Sequence, residues 1–222
     1  MKNILVIAPH PDDEVLGCGA TINKLSENGG LVVVLVMTRG TPRFYSDEKI
    51  ENVRNEARQA HKILGVRDTI FLDYPAPELD TVSQADLSSA ISDVIKQFNV
   101  DTVFIPHRGD IHLDHTIVFR SGLVACRPVN NCSVKEILSY ETLSETEWAP
   151  PFSDDAFIPD CFFDVTAQMK FKLDAMNCFR SQVRKFPNPR SLETMEALAK
   201  FRGATAGYQR AEAFMTIRRL LS

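Results

Sequence analysis

A chain of 222 residues with 44% apolar and 24% charged side chains and a net charge of -4 has the make-up of an ordinary globular protein. The mild negative charge lacks the basic footprint that nucleic acid or an anionic membrane surface demands, so neither is expected as a partner. No apolar run approaches the roughly 20 residues needed to cross a bilayer, and the opening MKNILVIAPH has no small-residue cleavage site of the secretory type. The five cysteines (Cys18, Cys126, Cys132, Cys161, Cys178) are scattered without CxxC spacing, which argues against a thiolate metal site or a disulfide framework. Free thiols in a cytoplasmic protein are the expectation.

In chain order, NILVIA (3–8) and LVVVLVM (31–37) are continuous and β-branched, as strands buried on both faces should be. Between them DDEVLGCGATINKLSENGG spaces Val15, Leu16, Ala20, Ile22 and Leu25 along one helical face and stops at Gly29-Gly30. A second helix, capped by Ser46 or Asp47 and ended by Gly65, leads to a third strand at 68–74. A helix in SQADLSSAISDVIKQFN precedes strand four, DTVFIPH (101–107). A helix from DHTIVF then precedes strand five, KEILSYE (135–141). Strand and helix alternating four times predicts an α/β, doubly wound and mostly parallel sheet flanked by helices. Beyond Glu141 the expectation is one more strand (161–165) and three helices (166–184, 190–202, 207–221). No linker sets this tail apart, so 1–222 reads as a single domain with 142–222 packed on it, the C-terminal helices being the candidate surface for homo-oligomer formation.

The chain has five histidines, and four of them lie in two loops. His10 follows strand one in APHPDDE; His107, His112 and His115 follow strand four in PHRGDIHLDH. His61, in a helix, reads as a surface or packing residue. Ligands of open α/β sheets sit at the carboxyl ends of strands where the winding reverses, and strands one and four are neighbours there in the common order. The two loops should therefore meet. His10 and Asp13 are three apart, as are His112 and His115, an interval that lets side chains share a face at the start of a helix. Imidazoles and carboxylates brought together in this way suit an open metal site with three protein ligands, leaving an acid and an imidazole over for proton transfer and oxyanion stabilisation. Taken singly, Asp12 or Asp13 could serve only to cap the following helix.

The motifs APHPDDEVLGCGATI and HLDH, with VRNEARQAHKILGV between them and KLDAMNCFRSQ beyond, resemble the LmbE/PIG-L family of metal-dependent N-deacetylases over about the first two-thirds of the chain. The resemblance implies a Rossmann-like fold and zinc-dependent hydrolytic removal of an N-acetyl group from an N-acetylglucosamine-type amino sugar or its conjugate. By position His10, Asp13 and His115 would hold zinc, with ferrous iron able to use the same ligands. Asp12 would be the general base and His112 the group that steadies the oxyanion or protonates the leaving amine. Asp114 would set the orientation of His112 and raise its pKa. Arg54 is the candidate contact to the sugar, though a helical arginine there could equally pair with Glu51.

One departure stands out. The loop after strand three reads YPAPELD, with Ala76 and Pro77 where the family's acidic residue is expected, and Glu78 or Asp80 as nearby substitutes. Trp148 is a candidate stacking platform for a sugar ring or, equally, an aromatic that anchors its loop. Among other readings, a receiver-like signalling module would also place an acidic pair after strand one and Asp73 after strand three, but gives the histidines no role and lacks a lysine after strand five. A mononuclear iron oxygenase shares the two-histidine, one-carboxylate set. A dinucleotide-binding enzyme is disfavoured because GCGATI lies within the helix and lacks the required glycine spacing.

Overall fold

The structure, a computed structural model, describes residues 1–221. Five strands, β1 (Asn3–Ala8), β2 (Leu31–Gly40), β3 (Asp68–Ala76), β4 (Thr102–Pro106) and β5 (Glu136–Tyr140), pair in parallel in the order β3-β2-β1-β4-β5. The winding of the chain thus reverses between β1 and β4, which lie side by side as expected. A receiver's order of 2-1-3-4-5 would instead have set β3 beside β1.

Among the described residues six α-helices cover the sheet: α1 (Asp13–Glu27), α2 (Asp47–Leu64), α3 (Gln84–Phe98), α4 (Leu113–Ala125), α5 (Met169–Cys178) and α6 (Leu192–Ala206). The strand period of two divides the core between the two faces. Ile4, Val6 and Ala8 of β1 and Val32, Val34 and Val36 of β2 pack under α1, α2, α5 and α6. Leu5, Ile7, Val33, Leu35 and Met37 pack under α3 and α4. Ser46 and Gly65 cap α2 as the sequence indicated, Ser46 accepting from Lys49 and Gly65 taking the left-handed conformation. At Gly17 the absence of a side chain is required: a Cβ there would run into the ring of Tyr140, which is fully buried and donates its hydroxyl to Ile7 O at 2.8 Å.

The C-terminal expectation needs correction. Residues 207–221 are not a helix. Gly207, at φ 78°, ends α6, and Ala211–Arg219 forms β7, antiparallel to β5 on one side and to β6 (Cys161–Asp164) on the other. The helical stretch foreseen at 166–184 shrinks to α5. The reason is tertiary: β5 would otherwise present an open edge, and a strand there buries Phe214 edge-on against Phe104 and Phe163, with centroids 5.1 and 5.3 Å away. The tail is also bolted to α1 from within. Buried Lys172 donates to Leu16 O (2.7 Å) and to Glu212 (2.6 Å), and the Glu212 carboxylate accepts from the backbone N–H groups of Ala20 and Thr21. No helix among the described residues is long and apolar enough to cross a membrane.

Candidate metal centre and active-site cleft

The loops after β1 and β4 do meet. The rings of His10, His112 and His115 lie with centroids 4.6 to 5.7 Å apart. One ligand atom from each of His10, Asp13 and His115 can be chosen within 4.8 Å of the others, and His10, His112 and Asp114 form a second such group. Asp13 Oδ2 stands 3.2 Å from His10 Nδ1 and 3.2 Å from His115 Nε2. The far nitrogen of each imidazole is held by a carboxylate: His10 Nε2 by Asp114 at 3.0 Å, His115 Nδ1 by Asp110 at 2.8 Å. Carboxylates placed behind imidazoles fix the ring orientation of metal-binding histidines and raise their basicity.

The donor set fits a divalent cation. His115 is fully buried, yet its Nε2 meets Asp13 in a geometry that makes no hydrogen bond, which orphans a nitrogen aimed at the other two donors. Two nitrogens and one carboxylate oxygen are the ligands of an open hydrolytic site. Burial would lower both histidines, but the hydrogen bonds that the His10 ring donates to Asp114 and Asp13 raise it to about 9. For His115 burial is likewise outweighed, by Asp13 and Asp110, which raise it to about 10. Burial works against ionisation of Asp13, but His115 and His10 hold it well below the usual carboxylate range.

Asp12 caps α1 in a left-handed conformation, φ 113°, that a non-glycine residue rarely adopts. The strain is held by a buried chain. Asp12 N–H donates to Glu14 Oε2 (3.1 Å), Glu14 Oε1 meets His61 Nε2 (2.8 Å), and His61 Nδ1 meets Thr69 Oγ1 (2.8 Å). His61 is thus buried in the scaffold of the site, the packing side of the expectation. The Asp12 carboxyl, itself buried, meets Arg190 Nη1 at 3.1 Å. Burial, together with Asp13 and Glu14, raises its pKa to about 7 against the opposing charge of Arg190.

His112 caps α4, and its Nδ1 accepts from Asp114 N–H at 3.2 Å. The expected pairing of the Asp114 carboxylate with His112 does not form, since that carboxylate is spent on His10 Nε2 and on Leu79 N–H. Nor is His112 raised: burial and the charge of His10 lower it to about 4 despite Asp114.

A cleft of about 570 Å³ opens beside these groups, lined by His10, Asp12, His112, Arg54, Tyr45 and Arg190 among others. Arg54 forms part of its wall, and its Nη2 is engaged by Leu72 O (2.8 Å) and Asp73 (2.7 Å) rather than by Glu51. Ala76 and Pro77 line the cleft, whereas Glu78 and Asp80 do not, and Glu78 pairs instead with Arg43. Trp148 is 56% exposed and is not among the residues that line this cleft. Sequence reasoning passed over Asp110, although it sits five residues before His115 in a quoted motif, and over Arg190, which is 178 residues from Asp12 and has no local signal.

A family model described as "PIG-L: GlcNAc-PI de-N-acetylase" matches residues 5–126. The chain belongs to the PIG-L family. The matched span holds every metal-ligand candidate and the strained Asp12. Similar proteins include the "Uncharacterized deacetylase YaiS" of Escherichia coli (strain K12), 34% identical over 81% of this chain and 91% of that protein. The diacetylchitobiose deacetylase of Thermococcus kodakarensis is 26% identical over 96% of this chain and 82% of its own. Among solved structures, the conserved protein TT1542 from Thermus thermophilus superposes with a TM-score of 0.81 at 25% identity, covering 100% of this chain and 97% of that one. Membership of a de-N-acetylase family makes this PIG-L chain a hydrolase of the N-deacetylase class.

Proposed function

We propose that this chain removes the N-acetyl group from an N-acetylglucosamine-type sugar or conjugate, with zinc as the resident ion on His10, Asp13 and His115. The observation that carries the reading is the orphaned His115 Nε2, aimed together with His10 and Asp13 at one point beside a buried second aspartate and an open cleft. Relatives named as a diacetylchitobiose deacetylase and as probable N-acetyl-alpha-D-glucosaminyl L-malate deacetylases support the substrate class. When bound, the ion supplies Lewis-acid polarisation of the acetamide carbonyl and acidifies the attacking water.

The chain's own residues do the rest. Asp12, adjacent to Asp13 but paired with Arg190 instead of the histidines, accepts the proton of the attacking water and returns it to the amine nitrogen as the C–N bond breaks. His112 acts as a neutral donor. Because its Nδ1 accepts from Asp114 N–H, the neutral ring carries its proton on Nε2 and offers it to the oxygen on which charge develops. Asp114 orients His10, and Asp110 orients His115. Arg54 shapes the wall on which the sugar rests.

Purified wild-type protein should contain about one zinc per chain and release acetate from a panel of N-acetylglucosaminides. Asp12→Asn should keep the ion and lose on the order of 100-fold or more in rate. Bound metal without acetate release from any panel member would overturn the substrate class; absence of metal after reconstitution would overturn the site.

A further inference from the structure

Arg190 stands outside the two histidine loops and outside the span matched by the family model, in the segment between α5 and α6. Its guanidinium is fixed from several directions. Nε donates to Ser144 Oγ at 2.7 Å, and Nη1 donates to Gln182 Oε1 at 2.9 Å and to Asp12 Oδ2 at 3.1 Å. Nη2 faces Glu145 at 3.8 Å. At its root, Arg190 N–H is tied to the side chain of Asn188. An arginine braced in this way is a fixed fork rather than a flexible surface charge.

What the fork holds is the side chain of Asp12. The backbone of Asp12 is tied to Glu14, but that bond does not fix the carboxyl, which stands beside two further acids, Asp13 and Glu14. Repulsion from these neighbours would swing it away from the metal centre. Among the described residues, Arg190 is the one cation in salt-bridge contact with it. The contact is single, made to Oδ2, so Oδ1 is left to accept a proton. A bidentate clasp would have engaged both oxygens.

Resting on the reading of Asp12 as the base, we propose that Arg190 is a positioning residue that holds the Asp12 carboxylate against the metal centre. Arg190 also lines the cleft, so the rival role is a direct grip on the substrate. The two make different kinetic predictions. A positioning residue acts on the chemical step and lowers kcat; a substrate contact shared by ground and transition states raises KM. Misplacement of a catalytic group by about 1 Å can cost about 100-fold.

The experiment uses the metal-loaded full chain and the panel substrate on which wild type is most active. Arg190→Ala should lose about 10- to 100-fold in kcat with KM changed by less than about threefold and metal content unchanged. Arg190→Lys should recover only part of the loss, because an ammonium cannot reach Ser144, Gln182 and Asp12 at once. Guanidinium ion at millimolar concentration, well below denaturing levels, should restore activity to Arg190→Ala and not to Asp12→Asn. A crystal structure of Arg190→Ala should show the Asp12 carboxyl turned from its wild-type rotamer. A rise in KM at unchanged kcat, or an Asp12 rotamer that does not move, overturns the proposal in favour of substrate binding. Kinetics equal to wild type overturn any role. Loss of kcat that tracks loss of metal, with no rescue, reduces Arg190 to scaffold. Wild type inactive on the whole panel defeats the deacetylase reading itself, and this assignment with it.

Discussion

Replacing His61 by alanine tests whether the strained turn at Asp12 is held from below. Glu14 is fully buried, and its carboxylate has two partners, the Asp12 N–H and His61 Nε2. Deleting the imidazole removes a hydrogen bond to a charged group, worth about 1.5–3 kcal/mol, and the bond to Thr69, worth about 0.5–1 kcal/mol. The void adds about 1 kcal/mol. The sum, about 3–5 kcal/mol, matches the usual cost of leaving a buried charge without its partner and is a large share of the total stability of a typical domain. Urea unfolding of the metal-free proteins, at matched pH and temperature, reads the difference as a shift in midpoint at constant slope. His61→Gln, which keeps an amide donor, should recover roughly half. Where the alanine variant remains folded, kcat should fall more than KM rises, because the Glu14 carboxylate no longer fixes the Asp12 backbone. A cost under about 1 kcal/mol would refute the chain of support, showing that Asp12 keeps its conformation through α1 alone.

Three further outcomes follow from the same geometry. Asp110→Asn should weaken metal binding by about 10- to 100-fold in competition with a chelator, since it removes the carboxylate behind His115; unchanged affinity would show that Asp110 serves only the loop it shares with Thr146. At pH 7 the metal-free protein holds His10 and His115 protonated, with pKa values of about 9 and about 10. Ligation needs neutral imidazoles, so zinc uptake should release about two protons, and affinity should climb as pH rises towards 9. Calorimetry in buffers of different ionisation heat measures the number, and fewer than one proton would refute the assignment. These raised values also stabilise the metal-free fold below about pH 6.5, a contribution lost as pH climbs through 9 and 10. Gly17→Ala should destabilise the chain by about 1–3 kcal/mol or more in thermal or urea unfolding, because the new methyl meets the immobile Tyr140 ring.

The sequence carried the parallel half of the fold because its strands are continuous apolar runs separated by capped helices, so periodicity alone located them. The meeting of the two histidine loops was legible for the same reason: the order of alternating elements puts β1 beside β4, and the ligands lie directly after those strands. The last strand was not legible. AEAFMTIRRLL carries apolar residues at spacings that also suit a helix, and only the open edge of β5 decides the matter. The role of Asp114 was misread because sequence adjacency suggested His112, while the fold brings His10, 104 residues away, to its carboxylate. Arg190 was invisible for a stronger form of the same reason. Its partner is fixed by how the tail returns over the sheet, and no spacing rule encodes that return.

The placement of β7 between β5 and β6 also sets an order of events during synthesis. His10, Asp13 and His115 all emerge within the first 115 residues, shortly after β1 and β4, which pair with one another. Arg190 follows much later, and β6 has no partner in the sheet until β7 has been made. Glu212, which anchors α1, lies in that same last strand. A nascent chain therefore carries all three candidate cation ligands well before it has made Arg190, the partner of Asp12, or the strand that anchors α1.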